Sequence, residues 1–394
     1  MHNLILVLNA GSSSLKFSVI DETSGTRPFE GIAECLGEEN ACLHLKEQEK
    51  THTFTLKDNH QPMQSAIALL MKILPESLVL TGVGHRVVHG GERFRKATLI
   101  NDEVLEEIKA CSSLAPLHNP CNIEGIYATK TLFPDLPQAA VFDTSFHSQL
   151  PAHAFHYAIP MHFYKKYGVR KYGFHGTSHH YVALKAAQIF NRDLDELELI
   201  TAHLGNGCSV SAIREGHSID TSMGMTPLAG VMMGTRSGDV DPGLICWLAQ
   251  QQNMSIQQID HMLNKESGLF GVSSLSNDMR TLEDAAQKDH QGARLAIDIF
   301  CYRIAQSIAA MSVGLNNPDA LIFTGGIGEN SPLIRHKIVA QLRQLNFFCD
   351  EVKNNRKNYQ GSVNKNDSKS ILVIPTDEEL MIAKQTCQLI KEAL

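Results

Sequence analysis

Two stretches of this chain, Gly11 and Gly205 at their centres and 194 positions apart, read as versions of one object. His203-Leu-Gly-Asn-Gly-Cys-Ser-Val-Ser-Ala-Ile213 runs as a strand end, a glycine turn and a second strand. Residues 4–8 lead into Asn9-Ala-Gly-Ser-Ser-Ser-Leu-Lys16-Phe-Ser-Val-Ile20, with Gly11 in the place of Gly205 and Val19 in that of Ile213. The interval is close to half of the 394 residues, so the simplest account is two related half-chains that each supply one hairpin. Gly205 and Gly207 let backbone N–H groups point into one concavity, which suits an oxyanion, and Asn206 adds a side-chain donor at the tip. A nucleotide between the halves is the functional reading. The plainer one is a tight hairpin turn, and this stretch alone leaves both open. Gly11 to Lys16 also imitates a P-loop. It lacks the glycine before the lysine, however, and Leu15, Phe17 and Val19 continue in strand alternation where a P-loop would open a helix.

A chain of this length is long for one core, and two domains are the default. The net charge of −7, with no long run of Lys or Arg, argues against a nucleic-acid surface. Nine scattered cysteines without a CxxC pair suggest free thiols in a reducing cytoplasm. The apolar run 4–8 is too short for a signal segment, and no apolar stretch is expected to reach the length of a membrane span.

Along the chain, short alternations over 31–54 predict further strands. Met63, Ala66, Ile67, Leu70, Ile73 and Leu74 after Pro62 predict an amphipathic helix. A strand over 78–83 delivers Gly84-His-Arg86-Val-Val88-His-Gly-Gly91, where a planar guanidinium could hold a carboxylate through two parallel bonds. The alternative is a surface arginine in a turn. Residues 102–108 form a short capped helix, and 114–120 an irregular loop. Residues 138–142 predict a buried strand ending at Asp143, which would reach a site or cap the next turn. His175 and His179 stand four apart, but no Glu occupies the His-Glu-x-x-His position and a helix start is expected near Ser178. A lone imidazole at His175 aimed at a phosphoryl group is preferred to zinc.

The passage 220–243 is glycine-rich and aperiodic, and it carries Pro227 and Arg236 among small residues. Ala293, Ala296, Ile297, Phe300, Ile304, Ile308 and Met311 stripe a long core helix. A strand over 320–324, a loop over 325–330 and Ser331-Pro332 as N-cap and first helical position make a seat for part of a nucleotide. Residues 353–370 read as an exposed loop and 371–375 as the last strand. Thr376 with Glu379 fits a capping box, which leaves Glu378 free to face a site.

Taken together, these pieces resemble the acetokinase family of the actin, hexokinase and Hsp70-like superfamily. The likeness runs from Asn3 to the last helix and rests on segments 9–16, 84–91, 115–120, 143–147, 173–179, 203–207, 235–238 and 325–330 in order. It implies an α/β fold of two duplicated actin-like ATPase (ribonuclease H-like) domains with an interdomain active-site cleft. Residues 1–147 plus the terminal helix 380–394 would form one domain and 148–379 the other. It further implies a cytoplasmic homodimer that transfers a phosphoryl group between ATP/ADP and acetate or acetyl phosphate with Mg²⁺, Mn²⁺ being able to substitute. No nucleic-acid or membrane partner is expected.

Residue by residue, the resemblance makes Asp143, His175 and Arg236 catalytic. Arg86 would bind the acetate carboxylate, with Val88, Leu117, Phe174 and Pro227 around its methyl. Asn9 and Glu378 would hold the metal. Nucleotide contacts would come from Lys16, from His203, Leu204, Gly205, Asn206 and Gly207, from Asp278, Met279 and Arg280, and from Gly326, Ile327, Gly328, Glu329 and Asn330. Asp377 departs from the family's usual Asn and would add charge beside the metal carboxylate. A carboxylate acceptor arrives ionised and needs no general base, so an orienting or metal-water role suits Asp143 in the forward direction. The rival readings are a propionate or short-chain carboxylate kinase of the same family, an ATP-gated binding module, and a metallohydrolase.

Overall fold

The computed structural model describes residues 3–47, 50–56, 60–75, 77–116, 118–356 and 360–393. The chain forms two compact units, Met1–Ser148 with Asp377–Leu394, and Gln149–Thr376. Ser148 and the residues Asp377, Glu378 and Glu379 therefore group with the first unit, where the expected boundaries had put them in the second.

In the first unit, β1 (Leu4–Ala10) and β2 (Leu15–Asp21) make the expected antiparallel hairpin. β3 (Phe29–Glu34), β4 (Cys42–Glu47) and β5 (Lys50–Thr55) extend the sheet beyond β2. On the other side β6 (Leu80–Val87) lies parallel to β1, and β8 (Gln138–Phe142) lies parallel to β6. The short β7 (Thr98–Leu99) runs antiparallel to β8. The order is β5-β4-β3-β2-β1-β6-β8-β7. The second unit has β9 (Leu199–Leu204), β10 (Cys208–Arg214), β11 (His217–Thr221), β12 (Ala320–Thr324), β13 (Gly361–Ser362) and β14 (Ser370–Val373), ordered β11-β10-β9-β12-β14-β13.

Laid side by side, β3-β2-β1-β6-β8-β7 and β11-β10-β9-β12-β14-β13 agree in order and in every parallel or antiparallel pairing. The duplication suggested by two glycine turns is thus a duplication of whole sheets, with β4 and β5 added to the first. These are the paired actin-like domains that the resemblance implied.

The helices follow from local sequence. Pro62–Ile73 buries Met63, Ala66, Ile67 and Leu70, and Asp102–Ala110 is capped by Asn101, whose side chain accepts from the Val104 N–H. Gln291–Met311 buries its predicted stripe in the second unit. With its continuation to Gly314 this helix is long and apolar enough, by length and composition, to cross a membrane, contrary to the expectation that no stretch would be. Its apolar side is instead core, from Ala293 to Met311. Two other expectations change. Residues 325–330 are a short helix and not a loop, while the exposed loop over 353–370 contains β13 and the end of a turn of helix, Glu351–Asn354.

The last helix, Glu378–Ala393, packs on β6, where Gly82 and Gly84 make room for it. A Cβ at Gly84 would stand 2.6 Å from Thr386 Oγ1, and one at Gly82 would stand 2.4 Å from Ile390 Cδ1. The expected capping box is not made. Asp377 is the cap, accepting from the Leu380 N–H at 2.9 Å, and Thr376 bonds to the Ser178 hydroxyl at 2.7 Å. Glu379 accepts from Ser18 at 2.5 Å. An Asp cap reaches the N3 amide as well as a Thr does and leaves Glu379 free for tertiary contacts. Arg27 donates to Asp377 at 2.5 Å, so the extra charge at this position is already partnered.

Two histidines are buried under the first unit's sheet end. His85 is 2% exposed with Nε2 2.9 Å from Gln138 Oε1, and His89 is 0% exposed and accepts from the Gly91 N–H at 3.0 Å. Burial pushes each imidazole down to about 4. The unfolded chain therefore binds more protons than the folded one between about pH 6.5 and 4, and stability is lost as pH falls through that window. Each group contributes a slope of at most ~1.4 kcal/mol per pH unit. Urea unfolding at pH 6.5 and 5 is expected to show this fall, and His85→Gln to reduce the slope by roughly one proton.

Candidate active site

In the second unit the turn Gly205–Asn206–Gly207 closes β9 onto β10, with the Gly205 N–H donating to Gly207 O at 3.0 Å. His175 precedes the helix Gly176–Phe190 in a left-handed conformation, φ 56°, so the helix begins just before the expected Ser178. A non-glycine residue held there is a local strain that surrounding contacts must over-determine. The ring of His175 stacks on His203 at 4.4 Å, and its Nδ1 is 2.9 Å from Ser209 Oγ.

Arg236 comes from the aperiodic 222–241 passage and donates from Nη1 to the Pro227 carbonyl at 2.6 Å. It meets His175 over Gly207. A Cβ on that glycine would lie 3.2 Å from His175 Nε2 and 3.3 Å from Arg236 Nη2. Burial lowers the guanidinium's pKa, and among the described residues no carboxylate pairs with it. A half-buried cation without a counter-ion, beside an imidazole and a glycine turn, is suited to an oxyanion that arrives with substrate. Gly207→Ala puts a methyl into this space without backbone strain, since its φ is not positive. The expected result is a fall of about tenfold or more in kcat with little loss of thermal stability, read by steady-state kinetics and a melting curve.

Next to the turn is a cavity of about 500 Å³. It brings together the predicted residues Gly205, Asn206, Asp278, Met279, Arg280, Gly326, Ile327 and Asn330, and adds Asn277, Glu283 and Ser331. The size and mixed lining suit a nucleoside. Asn206 Oδ1 accepts from Asn277 Nδ2 at 3.0 Å, so the tip residue is anchored as well as polar. Asp278 caps the helix Met279–Gln287, and Arg280 folds back onto it at 2.9 Å. Ser331 caps the helix Pro332–Val339 as expected, and its hydroxyl bonds Glu283. His203, Leu204 and Gly207 lie on the hairpin and do not line this cavity.

Gly328 and Glu329 do not line it either. The Glu329 carboxylate accepts from the N–H groups of Gly325 at 2.9 Å and Thr376 at 3.1 Å, and the carbonyls of Gly328 and Glu329 accept from the buried Arg335 at 2.8 Å each. Their place is in holding the glycine-rich turn.

In the first unit Arg86, near the end of β6, grips Asp143 after β8 through two bonds, Nε to Oδ1 at 2.9 Å and Nη2 to Oδ2 at 2.7 Å. Asp143 is 2% exposed, and its charge raises the guanidinium's pKa further. The bidentate fork expected for a substrate carboxylate is thus occupied by a protein one. Val88 is buried, its N–H donating to Asn122 Oδ1 at 3.1 Å, while Asn122 Nδ2 donates to Ala10 O at 2.8 Å. Asn119 holds the His89 N–H in the same way. These two asparagines hold the loop that follows Arg86, and Asn122 also ties it to the first hairpin; neither was singled out from sequence. The Asn-Pro-x-Asn spacing that opens the helix Asn119–Leu132 is the signal that carries them.

Asn9 and Lys16 are cross-strand partners on β1 and β2. Glu378 opens the last helix. Burial raises its carboxyl pKa, Asp143 and Glu379 push the same way, Arg86 and Lys16 oppose them, and among the described residues no hydrogen bond reaches it. A crowded carboxylate of this kind is an oxygen donor that a hard divalent cation would satisfy. Among the described residues no cluster of three or more His, Cys, Asp or Glu forms a metal cage. His175 and His179 both address the one Ser209 hydroxyl. Phe174 is buried in the second unit, Pro227 partly so, and Leu117 lies outside the described residues.

A family model described as the acetokinase family matches residues 4–384. An acetate kinase of Pseudomonas aeruginosa is 50% identical over 390 residues, covering 98% of each chain. Among solved structures, a propionate kinase from Francisella tularensis superposes with a TM-score of 0.94 at 45% identity, over 98% of this chain and 100% of that one. An acetate kinase from Porphyromonas gingivalis gives 0.93 at 38% identity, over 98% and 99%.

Proposed function

Because this chain belongs to the acetokinase family, we propose that it transfers the γ-phosphoryl group of ATP to acetate, reversibly, giving acetyl phosphate and ADP. The observation that carries the reading is the convergence of His175 and Arg236 over Gly207, with the guanidinium lacking a carboxylate partner among the described residues. Phosphoryl transfer asks for alignment and charge neutralisation more than covalent chemistry, and an unpaired arginine beside an imidazole and a glycine turn supplies both.

The 500 Å³ cavity takes the nucleoside, and the turn residues Asn206 and Gly207 present N–H groups to its phosphates, the Gly205 N–H being held by the Gly207 carbonyl. Arg86 receives the carboxylate of the acceptor. Asp143 keeps its fork in plane, the remaining N–H donors facing the substrate, and acts by orientation because acetate arrives ionised. Asn9 and Glu378 would hold Mg²⁺, which would neutralise charge on the transferring phosphates. Assembly as a homodimer and a cytoplasmic location belong to the same reading.

A hydroxylamine trap for acyl phosphate, run with ATP, Mg²⁺ and a panel of short carboxylates, tests it. Acetyl hydroxamate is the expected product, and none from any acid would overturn the reading. A preference for propionate is the second reading, favoured by the likeness to the Francisella enzyme. Val88, which is buried, argues for acetate: by the family resemblance it lies beside the acyl methyl, where its two methyls would take the space an extra carbon needs. One methylene discriminates by about 10- to 200-fold in kcat/KM, so propionate should be a poor substrate. Val88→Ala is expected to narrow or invert the preference, mainly by lowering KM for propionate. Equal kcat/KM for the two acids in the unaltered enzyme would count against it.

A further inference from the structure

We propose that Thr201, His179 and Ser209 form a hydrogen-bond relay that fixes the neutral tautomer of His175 with its proton on Nε2. The imidazole then meets the transferring phosphoryl as a donor without first being protonated. The inference rests on the reading of His175 given above and adds three positioning residues to it.

The relay begins in the strand pattern. Thr201 and His203 on β9 face Ser211 and Ser209 on β10, so one side of this hairpin is polar while Ile200, Ala202, Val210 and Ala212 take the other. Thr201, Ser209 and Ser211 are 0% exposed, and buried polar groups need partners. The helix Gly176–Phe190 supplies one in His179, itself 0% exposed. Its Nδ1 is 2.6 Å from Thr201 Oγ1 and its Nε2 is 2.7 Å from Ser209 Oγ. Ser209 Oγ in turn is 2.9 Å from His175 Nδ1.

A neutral imidazole carries one donor and one acceptor, and a hydroxyl has a single proton. The protons along Thr201, His179, Ser209 and His175 therefore run in one direction, and the far end decides which. The other acceptor within reach of Thr201 is the Ser211 carbonyl at 3.5 Å, a poor hydrogen bond beside the 2.6 Å contact with His179. Thr201 therefore donates to His179 Nδ1, His179 donates from Nε2 to Ser209, and Ser209 donates to His175 Nδ1. The proton of His175 is left on Nε2, the atom that points with Arg236 toward the space over Gly207. Around that ring, Arg236 faces it across Gly207, His203 stacks on it and His179 stands behind Ser209. Beside a guanidinium, a neutral donor costs less than a second cation.

Long-range proton–nitrogen correlation spectra of the full-length enzyme at pH 8, with the His175 signals identified by their loss in His175→Gln, read the tautomer directly. The expected spectrum has protonated Nε2 and bare Nδ1. Thr201→Val touches neither His175 nor substrate, yet it should mix the tautomers and lower kcat about 3- to 10-fold, with both KM values within about twofold. Ser209→Ala should lower kcat about tenfold or more, since losing a preorganised donor outright costs about 10²- to 10³-fold. A purely structural role for these residues would leave the tautomer unchanged. Nδ1 protonated in the unaltered enzyme would overturn the relay, as would Thr201→Val with unchanged spectrum and kcat. If Thr201→Val fails to fold, the unaltered enzyme's spectrum still decides. Absence of acyl phosphate from every acid would instead sink the kinase reading and leave the tautomer measurement standing.

Discussion

Arg236→Lys is expected to lower kcat by about 10²-fold or more while KM for ATP changes much less. The side chain is held by the Pro227 carbonyl at 2.6 Å through Nη1, which leaves Nη2 directed at the space over Gly207. Lysine keeps the charge but offers one flexible ammonium, which cannot bond Pro227 and face the phosphoryl in the same fixed plane. Because the interaction is made with charge that develops during transfer, the loss belongs in kcat. Steady-state kinetics in both directions check it. Near-normal turnover would remove Arg236 from the reacting centre and leave His175 as the main stabilising group.

Asp143→Ala should be damaging in two ways that can be separated. It strips a 2% exposed carboxylate from a guanidinium whose side chain is 23% exposed, and removing one partner of such a pair costs about 2–4 kcal/mol of unfolding free energy. It also frees the Arg86 fork, so kcat/KM for acetate is expected to fall by roughly 10²-fold, with KM for ATP little changed. Asp143→Asn keeps one acceptor and should cost less stability. The double variant Arg86→Met/Asp143→Leu should regain most of the stability, because replacing a buried pair by apolar groups is often close to neutral, but none of the activity. Urea unfolding alongside kinetics distinguishes the two effects. Unchanged kcat/KM in Asp143→Ala would show that Arg86 needs no orienting partner.

The sequence by itself determined what depends on near neighbours. Short continuous apolar runs placed β8 at Gln138–Phe142 and β12 at Ala320–Thr324, and the Ser331-Pro332 pair marked a helix start. Two glycine turns half a chain apart were enough to suggest a duplication, since a tight turn between strands is written in adjacent residues. Arg86, Asp143, His175 and Arg236 stood out because each follows a strand or sits among small residues.

What only the tertiary structure decided are pairings between residues far apart in the chain. Ser18 meets Glu379 across 361 positions and Arg27 meets Asp377 across 350, and these contacts put the last helix with the first unit. With Glu379 engaged by Ser18, the local capping box lost to an Asp cap that is as good locally and costs nothing globally. The fork of Arg86 had several possible anions until the packing of β6 beside β8 put Asp143 within reach. The local spacing of His179 to His175 raised a metal pair only to set it aside and gave His179 no other role, whereas the two hydroxyls that claim it come from neighbouring strands. A side chain's type limits what it can bond, but its partner is chosen by which strands and helices are brought together, and that choice is made by the whole core.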